Sequence, residues 1–302
     1  MQFAPILVTV YNRVLHFKNC IESLKKNIYA DQTHLFIAID YPKNESDREA
    51  NLKIKEYCDN ISGFKDVTLY IRDRNYGARK NGLIAKNEIL SYYDSIIISE
   101  DDNIFSKYFL KFINQNLITY KENDEILAIC GYQFPKVENR SNSNIIMLQG
   151  FSPWGYGIWK DRVGKIEYKI NDFYTIFLNK QFYKEFIKEM GGKFFTSLLI
   201  SNIKDEIYGD IYVNYAIFAK KLKCIFPSRT LVLNKGQDGS GLHSGKNSYF
   251  EKQFIDESFD PSGDAIYDPR CQKLFVKEMK YPLYKEVYYY LLYRSISRIK
   301  NI

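Results

Sequence analysis

A chain of 302 residues, 45% of them hydrophobic, is long enough for one large α/β domain with additions or for two domains, and it excludes wholesale disorder. Its 43 basic and 36 acidic residues leave a net charge of +7, which is not the footprint of a dedicated nucleic-acid binder but favours anionic lipid or phosphate-bearing substrates. Five scattered cysteines (Cys20, Cys58, Cys130, Cys224 and Cys271), with no CxxC pair, exclude a cysteine metal site and imply a reducing compartment.

Residues 1–10 hold an apolar run without a basic leader or a small-residue cleavage site, and read as a core strand. No apolar run reaches transmembrane length, so the chain reads as cytoplasmic, soluble or peripheral on the inner face of the plasma membrane. Ala4 to Tyr11 (APILVTVY) predicts the first strand. Asn12 can cap the helix that follows, where Leu15, Cys20, Ile21 and Leu24 share an apolar face. His34 to Asp40 predicts the second strand, and Ser46 with Glu49 forms a capping box opening a helix to about Asn60. Asp66 to Arg72 is the third strand and Tyr76 to Tyr92 a basic helix. The fourth strand contains Ile96, Ile97 and Ile98, a β-branched run that predicts burial on both faces. It stops at Glu100-Asp101-Asp102, and helix-like Ser106 to Lys121 follows. This alternation argues a parallel sheet with right-handed crossovers.

After Ile126 to Cys130 the rhythm changes. Asn139 to Asn144 signals a loop, and Ile145 to Gln149 a short strand. Gly150 to Arg162 (GFSPWGYGIWKDR) holds both tryptophans. Asp172 to Met190 predicts one helix stopped by Gly191-Gly192, and Gly209 to Leu222 another led by Asp210. Cys224 to Pro227 and Arg229 to Leu233 read as strands, and residues 234–246 as a glycine-rich loop containing His243. The tail, 281–302, mixes tyrosines, leucines and basic residues on a helix; such a segment suits a membrane surface, or packs on the body, or mediates oligomers.

Three carboxylates at one strand end repel each other unless a cation or ligand offsets them. In a parallel α/β sheet, strand carboxyl ends are where ligands bind. Asn12-Arg13, Asp40 and the acidic triplet all stand at such ends and predict one shared crevice. A divalent cation holding a nucleotide diphosphate fits hard oxygen ligands; the alternative is a solvated acidic turn. The sequence has no GxxxxGK[ST], no GxGxxG after a strand and no GxSxG. His16 and His34 read as structural histidines. Asp210 is placed to take a proton or to cap its helix, and Trp154, Tyr156 and Trp159 to stack on a sugar or to pack in the core. His243, Arg229, Lys235 and Lys246 are candidates for phosphate or metal contact, or solvated loop residues.

The strand ending Glu100-Asp101-Asp102 resembles the DXD-type motif of GT-A-fold glycosyltransferases. The text from Ile96 to Lys121 and from Ile126 to Tyr132 is similar to the N-acetylglucosaminyltransferase I family, as are the opening APILVTVYNR and the strand ending in Asp40. The resemblance implies a GT-A (nucleotide-diphospho-sugar transferase) α/β fold, with a mostly parallel central sheet flanked by helices and a C-terminal helical extension. It implies a glycosyltransferase domain over 1–250, with a nucleotide-binding half (1–132) and an acceptor half (133–250), then an extension over 251–302. By that resemblance Asp102 binds Mn²⁺ or Mg²⁺, and His243 is offered as a further metal ligand by its residue type alone. Glu100 and Asp101 lie near the ribose and donor sugar, Asp40 meets the uracil of a UDP-sugar, and Arg13 lies near the nucleotide. Asp210 matches the general base, although that family has a tryptophan where this chain has Gly209. The implied activity is metal-dependent, inverting transfer from a nucleotide sugar to a glycan or lipid-linked acceptor, as in bacterial O-antigen or capsule synthesis. The alternatives are a sugar-phosphate nucleotidyltransferase and a non-catalytic, membrane-associated nucleotide-binding protein.

Overall fold

The computed structural model describes residues 3–239 and 253–299. The chain opens with β1 (Ile6–Val10), α1 (Val14–Lys25), β2 (His34–Ile39), α2 (Glu45–Cys58), β3 (Asp66–Ile71), α3 (Ala78–Tyr92) and β4 (Ser95–Glu100). There follow β5 (Asn103–Phe105), α4 (Phe109–Thr119), β6 (Ile126–Cys130), β7 (Ile145–Leu148) and β8 (Tyr156–Trp159). Five helices come next: α5 (Lys160–Val163), α6 (Phe173–Phe177), α7 (Lys180–Met190), α8 (Gly192–Lys204) and α9 (Gly209–Lys220). The chain then runs through β9 (Lys223–Pro227), β10 (Val232–Asn234), β11 (Ile266–Tyr267), α10 (Pro269–Glu278) and α11 (Leu283–Ile299).

Among the described residues, nine strands form one sheet in the order β11-β7-β9-β6-β8-β4-β1-β2-β3. The run β4-β1-β2-β3 is parallel throughout, as the strand–helix alternation requires. β1 and β2 read as near-continuous apolar runs because both their faces are covered; Ile6, Leu7, Val8, Leu35 and Ile37 are fully buried. β3, with Asp66 and Thr68, forms the sheet edge and is only partly covered. β8 enters antiparallel between β4 and β6, so the later half of the chain completes the same sheet. Gly157 makes that insertion fit. A Cβ there would lie 2.5 Å from Ile113 Cγ2 and 3.0 Å from Leu117 Cδ1 of α4.

Local details differ from the sequence expectations. Asn12 does not cap α1; its side-chain N–H donates to Asp47 Oδ1 at 2.7 Å. The cap of α2 is Asn44, which accepts from Asp47 N–H, rather than the Ser46–Glu49 box, because Ser46 uses its hydroxyl to donate to Asn44. The region after the triplet first forms β5, delaying the helix to Phe109. The expected helix over 172–190 is two, α6 and α7, with Asn179 capping the second. Gly191, at φ 88°, ends α7 but opens α8, a helix the sequence reading did not foresee. The five cysteines are free and buried. Among the described residues, no helix is long and apolar enough to cross a membrane.

α11 packs one side on the body. Tyr293 is buried, stacks on Tyr183 at 4.5 Å between centroids, and donates its hydroxyl hydrogen bond to the Leu178 carbonyl oxygen.

Candidate active site

β1 and β4 pair in parallel, with Thr9 opposite Glu100, so the residues that follow each strand meet at one end of the sheet. Arg13 crosses from the β1 side to the acidic triplet. Its Nη1 donates to Asp102 Oδ2 at 2.8 Å, its Nε to Asp101 Oδ2 at 3.3 Å, and its Nη2 to Asp101 Oδ1. A planar guanidinium can bridge two carboxylates in this way where an ammonium cannot.

A second element closes over the aspartates. β5 and β10 form a two-stranded antiparallel sheet that sets Asn103 opposite Asn234. Asn234 Nδ2 donates to Asp102 Oδ1 at 2.7 Å, and the Lys235 N–H donates to the Asp102 carbonyl oxygen at 2.8 Å. A Cβ on Gly236 would stand 2.1 Å from Asp102 Oδ2, so only glycine lets the backbone lie on that carboxylate. His16 ties the same segment down, its Nε2 lying 3.3 Å from the Lys235 carbonyl oxygen and 3.2 Å from Asp238 Oδ2.

The electrostatics follow from this packing. Burial pulls the Arg13 guanidinium down, but Asp101 and then Asp102 outweigh it and hold it above its ordinary value. Burial raises the Asp101 carboxyl to about 6, with Arg13 opposing and Asp102 adding to the rise. The Glu100 side chain reaches solvent although protein surrounds it densely. Desolvation first, then the charges of Asp102 and Asp101, raise it to about 7 against the pull of Arg13. Asp210 adds to that rise, and its charge is felt at Tyr156 as well. Asp210, in the N-terminal turn of α9, is therefore near enough for its charge to reach Glu100. Asp210 sits inside that turn, after Gly209, and the N-cap position belongs to Tyr208.

The other expected site residues divide. Asp40, at the end of β2, is buried. It accepts the N–H groups of Tyr41 and Tyr76 on Oδ1 and of Gly77 on Oδ2, holding the turn into α3. Gly77 adopts φ 76°, a conformation favouring glycine, and this lets its N–H reach the carboxylate. Tyr156 pairs opposite Ile98 near the site end of β4, and Trp154 packs edge-on against Tyr132 at 4.6 Å. Trp159 is a correction to the stacking wall. It pairs with Ser95 at the far end of β4, is buried, and donates its indole N–H to the Leu117 carbonyl oxygen at 3.0 Å. Arg229 is committed elsewhere, to Asp256 and the Phe259 ring. His243 and Lys246 lie outside the described residues. His34 is satisfied by Tyr93 and Thr68, as expected of a structural histidine.

Sequence reasoning missed Asn234, Gly236 and Arg79. The first two follow the apolar Val232-Leu233, so their signal was the same polar strand end that singled out the triplet. Arg79, in the first turn of α3, lies over the Tyr168 ring at 5.6 Å and has no such signal.

No family model matches the sequence, and no curated protein matches it. Solved structures do. TarS from S. aureus is 16% identical at a TM-score of 0.33, over 47% of this chain and 24% of TarS. TarS 1–349 in complex with UDP-GlcNAc is 14% identical at a TM-score of 0.38, over 56% of this chain and 49% of that one. The mannosyltransferase PcManGT from Pyrobaculum calidifontis, in complex with GDP-Man and Mn²⁺, is 12% identical at a TM-score of 0.41, over 71% and 69%. The chain thus spans about a quarter of TarS and half of its 1–349 fragment. None of these three is an N-acetylglucosaminyltransferase I, and that narrower resemblance gains no support from them.

Proposed function

We propose that this protein is a glycosyltransferase that moves a sugar from a UDP-linked donor to an acceptor hydroxyl with inversion. One observation carries the reading. Arg13 bridges Asp101 and Asp102 at the end of β4, beside Glu100, and the charge of Asp210, in the first turn of α9, reaches Glu100.

In this reading Asp210 takes the proton of the acceptor hydroxyl on the face of the sugar opposite the leaving group. Glu100, whose carboxyl is raised by desolvation and by the charges of Asp102 and Asp101, would meet donor hydroxyls with Asp101 beside it. Arg13 supplies fixed positive charge near the diphosphate. Asp40 Oδ2 accepts one N–H in the structure and retains acceptor capacity for a base N–H. Trp154 and Tyr156 border the acceptor side.

A divalent cation suits this donor set. Arg13 holds Asp102 Oδ2 and Asn234 holds its Oδ1, so an ion on that carboxylate would take the place of the guanidinium there. Among the described residues no three His, Cys, Asp or Glu side chains converge as a metal site by themselves. Asp102, with Asp101 beside it, would therefore hold Mg²⁺ or Mn²⁺ with donor phosphate oxygens completing the shell. Bound there, the ion would neutralise charge on the departing diphosphate. The acceptor we propose, by analogy alone, is a glycan or lipid-linked sugar of a bacterial surface polysaccharide such as O-antigen or capsule.

Thermal unfolding with a panel of nucleoside diphosphates, each with and without Mn²⁺, tests the reading. UDP with Mn²⁺ at about 100 times Kd is expected to stabilise the fold by about 2.7 kcal/mol, and Asp102→Ala to remove the manganese-dependent part. No stabilisation by any nucleotide would refute the proposal.

A further inference from the structure

α11 is bound to the body on one side only. On the other, Leu283, Tyr284, Val287, Tyr288 and Leu291 recur at helical spacing and are between 51% and 76% exposed. A helix already docked by Tyr293 would ordinarily turn polar residues outward. Isolated exposed leucines are common, whereas five large side chains in one stripe mark a surface with an occupant.

The surrounding charge identifies that occupant. Residues 269–296 contain six exposed cations; Arg270 is paired with Asp268, which leaves Lys273, Lys277, Lys280, Lys285 and Arg294. The two carboxylates of the same stretch turn inward. Glu278 is buried, and Glu286 is half-buried beside Gly192. The charge this segment shows to solvent is therefore predominantly positive. A second copy of the chain would set cations against cations across a twofold interface, which opposes pairing. An anionic phospholipid surface satisfies every part. Leucine and valine enter the acyl boundary, tyrosine rings sit at headgroup depth, and lysine and arginine meet phosphate.

We propose that the outward face of α11, with the cations of α10 and the connection between them, docks on an anionic phospholipid surface. This rests on α10 and α11 and is independent of the glycosyl-transfer reading. The test is co-sedimentation of the full chain with phosphatidylcholine vesicles, with and without phosphatidylglycerol. The protein is expected to sediment with the anionic vesicles and not with the neutral ones. Leu283→Ser/Val287→Ser/Leu291→Ser should weaken binding by roughly tenfold or more while leaving the thermal midpoint unchanged, since those side chains touch water. Lys285→Ser/Arg294→Ser should weaken it roughly fivefold per cation and flatten its salt dependence. Failure to sediment with anionic vesicles, or equal sedimentation of the triple variant, would overturn the proposal. So would a dimer that the triple variant abolishes without any lipid binding, since the face would then belong to a second copy.

Discussion

At the scale of single residues, the site depends on Arg13. Its guanidinium is the cation that lets Asp101 and Asp102 remain buried side by side, each only about 5% exposed at the side chain. Removing one partner of a buried ionic group leaves the rest uncompensated, and such losses run to about 3–5 kcal/mol. Arg13→Met is therefore expected to lower stability by about 3 kcal/mol, read as the shift of the urea midpoint at constant slope. Arg13→Lys should recover little of it, because a compact ammonium lacks the planar, spread donors that meet Asp101 on two oxygens and Asp102 on one. A loss below about 0.5 kcal/mol, as at an ordinary surface position, would show that the bridge is not what holds the pair. The identities of Arg13 and the triplet were legible as polar strand ends, whereas their direct contact was not. They are 88 residues apart, and only the parallel pairing of β1 with β4 brings them together.

At the scale of elements, two local devices set geometry. Gly157 allows α4 to press against β8, and any Cβ there meets Ile113 and Leu117. Gly157→Ala is expected to cost about 1–3 kcal/mol through overpacking, with the urea slope unchanged. An accompanying Ile113→Val should relieve part of that cost, and a Gly157→Ala protein as stable as the parent would contradict the close approach. The second device is the cap of α10. Asp268 is buried, accepts the Arg270 N–H at 2.9 Å, and is held below its ordinary value of 3.8, first by the side-chain hydrogen bond from Arg270. A depressed carboxyl stabilises the fold above its unfolded value and ceases to do so as pH falls toward the folded one. Asp268→Ala should therefore cost about 1 kcal/mol at pH 7, and the difference from the parent should shrink as the pH is taken from 5 to 3. A difference that grew on acidification would reverse the assigned sign. The helix N-terminus at Asp268 carries its own signal, an aspartate before Pro269, while the break at 178–179 carries none. There Asn179 caps α7 with its own side chain, a choice that the packing of Phe177 among Phe182, Phe186 and Phe195 reinforces.

At the scale of the whole molecule, the order of strands decides which side chains meet at the strand ends. The first four strands were legible because parallel strands buried on both faces read as continuous apolar runs, and their alternation with helices admits one handedness. The later half was less legible. β8 has four residues and lies antiparallel between two strands that precede it in sequence, a placement with no local periodicity. The same holds for β5 and β10, three residues each, whose pairing brings Asn234 and Gly236 onto Asp102. The sequence by itself determined the α/β class, the positions of β1 to β4, and the chemistry gathered at their ends, because those depend on local composition and period. Tertiary structure alone decided that Arg13 bridges Asp101 and Asp102 and that Trp159 lies in the core. It also decided that α11 keeps an apolar face in water. Each of these is a contact, or the lack of one, between segments far apart in sequence, and it is set by the packing of the complete sheet.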